Sequence, residues 1–464
     1  MAEHLSVADR VKLGKQARAA VPRSSHGIVA SPDPRPSAVG ILEAQAAERV
    51  AELVPIRYGR MSASPFAFYR GAAAVMASDL AAAPHSGLQV QLCGDAHVAN
   101  FGGFASPDRD MVFDINDFDE TLPGPFEWDV KRLAASLDIA GRQRNFEEKD
   151  RSLTVLGAVN AYRMAMHEFA AMQNLALWYV RLNTEGIDQR WGAEGDKTGR
   201  RSFRKEVEHA QKKDRLKALS KLTHLVDGEP RIISNPPLLV PVEELYDHFA
   251  ADEIERMINA ALQSYAATLP CDRRHLLNSY RFVHLARKVV GVGSVGTVAW
   301  VALMLGRDDA DPFFLQVKEA KASVLEPYLG ASEFAQHGQR VVEGQRLMQA
   351  ASDIFLGWER NLSPEGLTRD FYMRQLWDWK LSTDLETIRP ETFKIYAKVC
   401  GWTLARAHAR SGDRVAIASY LGQGDLFDRA ITQYAAHYAD LNERDHAELV
   451  AAIDSGAVTA QRGI

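Results

Sequence analysis

The stretch that decides the fold runs from residue 94 to residue 120, and it opens with Gly94-Asp95-Ala96-His97-Val98-Ala99-Asn100. It closes with Phe113-Asp114-Ile115-Asn116-Asp117-Phe118-Asp119-Glu120. Alternating apolar residues predict strands at 87–93 and 111–117, on either side of a polar loop. A carboxylate, a carboxamide five residues later and a dense acidic turn therefore follow two strand ends.

Carboxylates this close together resist ionisation unless a cation or hydrogen bonds satisfy them, because like charges raise one another's pKa. A hard divalent cation bound through oxygen is the simplest partner, and Mg²⁺ needs only one or two carboxylates because it keeps part of its hydration shell. The structural alternative is a pair of turns in which Asp and Asn side chains bond the local backbone. Alternation of Met111, Phe113 and Ile115 carries Asp117 to the strand end, which favours the metal-binding interpretation.

Composition defines the class of protein around this stretch. The chain has 464 residues, of which 46% are hydrophobic and 25% charged, and its net charge is −5, as in globular proteins of more than one lobe. This balance predicts no membrane partner and no specific nucleic-acid partner. The three cysteines include no CxxC pair, which argues against disulfides and structural zinc. The N-terminus has no signal-peptide core, so we expect a cytoplasmic protein.

A second informative stretch is Gly291-Val292-Gly293-Ser294-Val295-Gly296-Thr297. It lies in an 18-residue segment without charge, Val289 to Gly306, which reaches the length of a membrane helix, but its four glycines favour a buried β-hairpin. A dinucleotide-binding interpretation of G-x-G-x-x-G requires a helix directly afterwards, whereas an apolar run and a strand at 313–318 follow. We therefore predict a hairpin whose glycine-rich tip lays backbone N–H groups over phosphates.

Lys318 ends the strand after this hairpin, and alternation places it on the face opposite Leu315 and Val317. There its ammonium can reach phosphates, although a solvent-exposed lysine at a strand end is the plain alternative. A helix predicted from about 339 to 354 carries Glu343 on its apolar stripe. A carboxylate on an apolar face requires a cation, so Lys318 is its expected partner, and Glu326 is the competing carboxylate.

These patterns divide the chain into four segments. Residues 1–60 are expected to form a peripheral N-terminal arm and helix, and 61–274 a helix-rich large lobe that contains the acidic turn. A small β-rich lobe is predicted over 275–380, and 381–464 are helices that complete the large lobe. The fold class is thus α+β with two lobes. Lys197 to Lys221 carries ten basic and three acidic residues, which indicates either a platform for an anionic substrate or a solvated helical face.

Together the parts resemble the protein-kinase-like phosphotransferases, in particular the aminoglycoside and choline kinase branch. In that superfamily a catalytic loop of the form H-G-D-x-H-x-x-N is followed by a metal-binding I-D-[FW]-[DE] strand end. The first motif is matched by Gly94, Asp95, His97 and Asn100, and the second by Asp117-Phe118-Asp119. Cys93 stands where the first histidine is usual, a departure that leaves the metal ligands untouched.

The resemblance implies a role for each matching residue. The catalytic residues would be Asp95, which orients or deprotonates the acceptor hydroxyl, and His97. The metal ligands for Mg²⁺ or Mn²⁺ would be Asn100, Asp117 and Asp119. The residues that hold ATP would be Gly291, Gly293, Ser294 and Gly296 of the glycine turn, and Lys318 paired with Glu343. Asp129, at the start of the next helix, would brace the catalytic loop.

The order of the motifs departs from an ordinary kinase, because the glycine turn and Lys318 follow the catalytic loop. The helix that normally leads into that loop is matched near the C-terminus by Thr403 to Arg410. The resemblance therefore implies a protein-kinase-like fold that is circularly permuted. In such a fold Lys318 Nζ should lie within about 10 Å of the Asp117 carboxylate, roughly the span of a metal-bound triphosphate.

A closer resemblance covers nearly all of the chain from about residue 20 to residue 440. It is carried by strings such as RYGRMSASPFAFYRG, QLCGDAHVANFG and QVKEAKASVLE. These are similar to the bacterial domain of unknown function 2252 family. Because that family is uncharacterised, the similarity does not identify a substrate.

The leading hypothesis is an ATP-dependent phosphotransferase acting on an unknown small-molecule or protein hydroxyl, with a hinge for adenine at 371–376. Nucleotidyl (AMP) transfer on the same fold stays open. A two-metal phosphoesterase is a further alternative because Asp95-Ala96-His97 fits a D-x-H start, although no late histidine ligands follow. A nucleotide-sensing pseudoenzyme is the last alternative. Arg57, Arg60 and Arg70 are candidates to line the acceptor site.

Overall fold

The computed structural model describes residues 5–195, 201, 205–210, 215–246, 248–362, 366–376 and 379–464. Helices dominate both ends of the chain, and a six-stranded antiparallel sheet lies between them. The fold is therefore mixed α and β, as the sequence predicts. The basic segment Lys197 to Lys221 lies partly outside the described residues.

The helices are, in chain order, α1 (Val7–Ala20), α2 (Ala38–Ala46), α3 (Val54–Met61), α4 (Pro65–Gly71), α5 (Ala73–Ala81), α6 (Glu127–Gln143), α7 (Glu148–Ala171), α8 (Asn174–Trp178), α9 (Thr184–Trp191), α10 (Arg215–Leu222), α11 (Val242–Leu245), α12 (Ala251–Thr268), α13 (Cys271–Leu277), α14 (Glu326–Leu329), α15 (His337–Met348), α16 (Pro390–Ser411), α17 (Arg414–Leu421) and α18 (Leu426–Asp454). The strands are β1 (Gln89–Leu92), β2 (Phe101–Ala105), β3 (Met111–Ile115), β4 (Leu122–Pro125), β5 (Thr223–Val226), β6 (Glu229–Ile232), β7 (Leu239–Pro241), β8 (Arg281–Lys288), β9 (Ala299–Leu305), β10 (Pro312–Ala320), β11 (Gly357–Leu362) and β12 (Thr368–Gln375). A short 3-10 helix at Arg23–Gly27 lies between α1 and α2.

The helical core is built on α16, which begins with Pro390 in its first turn and packs along α7. Its predicted apolar stripe from Phe393 to Leu404 is buried. Gly401 permits the close approach of the two helices, because a Cβ there would lie 2.1 Å from the Ala158 carbonyl oxygen. α16 also packs against β1. The C-terminal helix therefore lies beside the strand that leads into the catalytic loop, as the permuted order requires.

The large sheet has the order β11-β12-β10-β9-β8-β7, with Lys318 near the end of β10. β8 and β9 form the predicted hairpin with the glycine turn at its tip. Alternation along β10 is confirmed, because Leu315 and Val317 belong to one apolar cluster and Phe314 to another. The charge-free segment is thus loop and strand, and among the described residues no helix is long and apolar enough to cross a membrane.

Three predictions about local structure were wrong. The loop after Asp95 contains β2, which pairs with β3, and β1 pairs with β4. The helix that carries Glu343 ends at Met348 and not at 354, because Gln349 takes an extended conformation and its side chain donates to the Ile115 carbonyl oxygen at 2.7 Å. The supposed hinge 371–376 lies almost entirely within β12.

The N-terminal 60 residues are also not peripheral, contrary to the sequence prediction. α1 packs on α17, and the side chains of His26, Leu42 and Arg57 are fully buried. Arg57 Nη2 donates to the carbonyl oxygen of Gly71 at 2.9 Å. This segment therefore belongs to the packed body of the helical part.

Candidate functional site

The catalytic loop begins directly after β1 and is braced from two helices. Gly94 has a φ of +81°, and a Cβ there would lie 2.2 Å from the Glu120 carbonyl oxygen, so only glycine fits this turn. The Asp129 carboxylate of α6 accepts hydrogen bonds from the backbone N–H groups of Cys93 (2.7 Å) and Gly94 (3.1 Å). His408 of α16 lies 3.3 Å from the same carboxylate. The bracing role expected for Asp129 is thus present in the geometry.

Asp95 follows this turn and is held by an arginine of α6. Arg132 donates to Asp95 Oδ1 from Nε (2.8 Å) and Nη2 (2.7 Å), and the Asn100 side-chain amide donates to the Asp95 carbonyl oxygen at 2.8 Å. Burial raises the pKa of Asp95, and the Arg132 guanidinium opposes that rise. One fifth of the Asp95 side chain stays exposed, so the carboxylate is both oriented and accessible.

His97 lies next to Asp95 in a buried position. Its Nε2 is 3.8 Å from Asp95 Oδ2, and its Nδ1 has no hydrogen-bond partner within the described part of the chain. Burial, followed by the nearby Arg70 and Arg132, lowers the pKa of His97 well below its usual value. The ring is therefore neutral at neutral pH and cannot supply a proton there.

Lys318 reaches the acidic turn from the small sheet. Its Nζ lies 3.1 Å from Asp119 Oδ2 and 3.6 Å from Asp117 Oδ2, so the predicted proximity of Lys318 to Asp117 is confirmed. Tyr372 of β12 donates its hydroxyl to Asp119 Oδ1 at 2.5 Å. Both oxygens of Asp119 are therefore engaged. Asp117 keeps a third of its side chain exposed.

Electrostatics separate the roles of these three charged groups. Burial acts to lower the pKa of Lys318, but Asp117 and Asp119 outweigh it and raise that pKa above its usual value. Burial acts to raise the pKa of Asp117, and Lys318 and Arg374 reverse this, so that pKa is lowered. The pKa of Asp119 is raised by burial and by the charge of Asp117. Asp117 is thus the carboxylate most readily available for a cation.

The predicted pairing of Lys318 with Glu343 was wrong. Glu343 Oε1 lies 3.2 Å from Arg346 Nη1, one turn along α15, and a third of its side chain is exposed. α15 contacts the acidic turn through Arg340 instead, which donates to the Asp119 carbonyl oxygen at 2.8 Å. The reason is local: Arg346 is already within reach of Glu343, and the acidic turn supplies Lys318 with two carboxylates.

The glycine turn arches over the cleft and is held through its carbonyl groups. Gly291 and Gly296 have φ values of +67° and +89°, which favour glycine, and Gly293 approaches α4 so closely that a Cβ would lie 2.9 Å from the Arg70 carbonyl oxygen. Arg60 donates to the Gly291 carbonyl oxygen at 2.6 Å. Ser294 donates its hydroxyl to the Val290 carbonyl oxygen at 2.9 Å. The turn is therefore a fixed part of the cleft wall.

Two adjoining cavities meet at this point. The first has a volume of about 570 Å³ and contains seven carboxylates against two arginines and one lysine; we name it the acidic cavity. The second has a volume of about 410 Å³ and contains six arginines or lysines against two carboxylates; we name it the basic cavity. The residues that line both are Arg70, Asn100, Asp117, Gly291 and Ser294. Asp95, His97 and Asp119 line the acidic cavity, and Lys318 lines the basic cavity.

Some site residues were missed by the sequence reasoning. Arg132 follows Asp129 by one helical turn, and that spacing was a usable signal for a second side chain aimed at the catalytic loop. Tyr372 and Arg374 share one face of β12 by strand alternation. Of the three arginines proposed to line the acceptor site, only Arg70 lines the cavities, because Arg57 is fully buried and Arg60 binds the glycine turn.

A divalent cation can be held here by Asn100 and Asp117. The Asn100 Nδ2 group is engaged with the Asp95 backbone, which leaves the amide oxygen as its possible ligand atom, and the Asp117 carboxylate faces both cavities. Mg²⁺ tolerates such a sparse set because water and phosphate oxygens complete its coordination. No group of three or more His, Cys, Asp or Glu side chains with metal-binding geometry occurs among the described residues. A dedicated all-protein metal cage is therefore not present in that part.

Comparison with known proteins identifies the family. A bacterial family of uncharacterized proteins, DUF2252, matches residues 49–452, so the chain belongs to it and the resemblance noted in the sequence is confirmed. No curated protein matches the chain, and no solved structure matches it either.

Proposed function

We propose that this protein is an ATP- and Mg²⁺-dependent phosphotransferase of the protein-kinase-like type, with a circularly permuted chain, that phosphorylates a hydroxyl group of an acceptor. The observation that carries the proposal is the ion pair of Lys318 with the acidic turn 199 residues earlier in the chain. It lies between Asp95 and the glycine turn. These are the parts that phosphoryl transfer requires: a phosphate-binding cation, a metal-binding carboxylate and a group that positions the nucleophile.

The order of elements in the small sheet supports this fold assignment. A hairpin with a glycine tip (β8 and β9) is followed by the lysine strand β10, then by α15 and the pair β11 and β12. This is the order expected of a kinase-like small lobe. The helix that precedes the catalytic loop in such proteins has its counterpart in α16, which packs beside β1 although it follows that strand by about 300 residues.

The basic cavity is the proposed nucleotide site. Its excess of four positive charges suits a polyphosphate. Lys318 would bind the α- and β-phosphates, and the glycine turn would lie over them. Burial and the neighbouring cations Arg374 and Lys318 lower the pKa of Lys380 to about 8, so an incoming anion would relieve repulsion among these cations.

Asn100 and Asp117 would hold the Mg²⁺ ion, whose contribution is to neutralise charge on the phosphates. Asp119 would keep Lys318 in place together with Tyr372, and it is therefore assigned a positioning role in place of the metal-ligand role expected from the sequence. In the structure Lys318 bridges Asp117 and Asp119. Binding of metal to Asp117 would release its share of the lysine charge for the phosphates.

The acidic cavity is the proposed acceptor side. Asp95 would accept a hydrogen bond from the acceptor hydroxyl and take its proton, while Arg132 fixes the carboxylate. Arg70 lies at the junction of the two cavities, and its buried Nε has no partner within the described chain. It is placed to stabilise negative charge on the transferring phosphoryl group. The surplus of carboxylates disfavours a strongly anionic acceptor.

The test is product analysis with the purified full-length protein, ATP and Mg²⁺ in the presence of pooled metabolites, compared with Asp117→Asn. We expect metal-dependent formation of ADP and a new phosphate monoester by ³¹P NMR, both lost in the variant. AMP with pyrophosphate would instead identify nucleotidyl transfer. ATP binding without any product in every pool would identify a nucleotide sensor, and turnover that is equal in Asp117→Asn would refute the assigned site.

A further inference from the structure

A third cavity, of about 430 Å³, lies on the face of the large sheet that is turned away from Lys318; we name it the sheet-back cavity. Its floor is the sheet and its cover is α12, and representative apolar lining residues are Trp300, Val317, Phe371, Ile258 and Leu262. Val317 and Lys318 are consecutive residues of β10. The thickness of one sheet therefore separates this cavity from the proposed nucleotide site.

Glu359 of β11 is the unusual member of this lining. It is only 4% exposed, and its Oε2 atom is buried with no hydrogen-bond partner within the described part of the chain. The two arginines that line the same cavity have carboxylate partners: Arg369 lies 2.6 Å from Glu319, and Arg287 lies 2.5 Å from Glu52. Burial is the sole cause that raises the pKa of Glu359 to about 7. No cation compensates this carboxyl group in the described chain.

A buried polar atom without a partner costs free energy, and native proteins pair nearly all such atoms. An apolar cavity of a few hundred Å³ with a small number of polar groups is the usual form of a small-molecule site. The described side chains that α12 directs into this cavity are apolar, so the charge of the lining is set by Glu359. A ligand that fits must bring an apolar body and a cation.

We propose that the sheet-back cavity binds an apolar organic amine whose ammonium group pairs with the carboxylate of Glu359. A ligand carboxylate is disfavoured because both arginines of the lining are already neutralised and Glu359 would repel it. The proposal does not depend on the proposed phosphotransferase activity, since binding to this cavity uses no residue of the cleft.

The experiment is calorimetric titration of the full-length protein with ω-phenylalkylamines from phenylethylamine to phenylhexylamine, which span the cavity in length. The matching ω-phenylalkanoates serve as probes of reversed charge. Three variants are compared: Glu359→Gln, which removes the charge at constant shape; Ala261→Phe, which fills the cavity from α12; and Glu333→Gln, an exposed glutamate of the same lobe. Circular dichroism of each variant establishes that it is folded.

We expect at least one amine to bind the wild-type protein and Glu333→Gln equally, and to bind Glu359→Gln and Ala261→Phe more than tenfold more weakly. The alkanoates should not bind. Affinity for the amine should rise from pH 6 to pH 8, because the Glu359 carboxyl loses its proton there while an alkylamine, with a pKa near that of lysine at about 10, stays charged.

Absence of binding by every amine would overturn the proposal, as would an affinity that Glu359→Gln leaves unchanged. An affinity that is independent of pH between 6 and 8 would equally contradict the pairing with the carboxylate. Retention of ATP turnover or its absence in these variants has no bearing on the result, so failure here is distinguishable from failure of the phosphotransferase proposal.

Discussion

The two sides of the cleft are held by different kinds of contact. On the catalytic-loop side, Asp129 accepts hydrogen bonds from the backbone of Cys93 and Gly94, all in buried positions. On the other side, Lys318 is held by side-chain contacts to Asp117 and Asp119, which belong to a different part of the fold. The loop is thus fixed by bonds to its backbone, whereas Lys318 is held by ion pairs.

This difference corresponds to the work proposed for each side. A group that positions an acceptor hydroxyl must be held rigidly, because small errors in geometry cost orders of magnitude in rate. A cation that binds a polyphosphate must be able to change its partners when the ligand enters. We therefore expect substitutions on the loop side to be costly for stability and turnover, and substitutions around Lys318 to have smaller effects.

The largest effect is expected when the brace of the catalytic loop is removed by Asp129→Ala. Two buried N–H groups would lose their acceptor and His408 would lose its neighbour, which should destabilise the protein by about 3–5 kcal/mol. Urea unfolding measures this difference. The matched control is Asp440→Asn, because Asp440 forms an exposed ion pair with Arg142 and should cost under about 1 kcal/mol. Equal losses for the two variants would show that the brace is unimportant.

The next effect concerns Asp95, which the structure orients but does not place in the nucleotide site. Asp95→Asn should lower turnover by about two orders of magnitude or more, the scale expected when an acid–base group is removed. Affinity for ATP should stay within a few-fold of wild type, since the basic cavity is unchanged. Steady-state kinetics and calorimetry give the two numbers. Parallel losses in both would make Asp95 a ligand of the nucleotide or the metal.

A smaller effect is expected at Tyr372, whose hydroxyl donates to Asp119 beside Lys318. Tyr372→Phe leaves the ring in place and removes one buried hydrogen bond to a charged group, which should cost about 1.5–3 kcal/mol of stability. ATP affinity should change by less than about tenfold, because Lys318 keeps two carboxylate neighbours. Urea unfolding and ATP titration of this variant check both values. A complete loss of ATP binding would show that Tyr372 itself belongs to the nucleotide site.

The smallest effect distinguishes the observed partner of Lys318 from the one that the sequence predicted. Glu343→Gln should leave ATP affinity within about twofold of wild type, because Glu343 contacts Arg346 on an exposed part of α15 and such surface pairs contribute little. Calorimetric titration with ATP and Mg²⁺ is the measurement. A loss of tenfold or more would restore the Lys318–Glu343 pair, for example through a rearrangement of α15 in the nucleotide complex.

Much of the cleft could be predicted from the sequence because its parts are coded locally. Period-two alternation places Asp117 and Lys318 at strand ends, and the glycine turn lies between two apolar strands. The partner of Lys318 could not be predicted, because helical periodicity gives the face of Glu343 but not its rotation relative to a strand 25 residues earlier. The antiparallel pairing of β2 with β3 was missed because Gly102 and Gly103 weaken the strand signal.

The central claim is that Asp117 brings metal and nucleotide together in the cleft beside Lys318. The most direct measurement is calorimetric titration of ATP with and without Mg²⁺, using the wild-type protein, Asp117→Ala and the control Asp110→Asn, whose carboxylate is exposed and pairs with Arg181. We predict ATP binding that requires Mg²⁺ or Mn²⁺ in the wild type and in the control, and no binding in Asp117→Ala. ATP binding of equal affinity without metal, or in Asp117→Ala, would contradict the account.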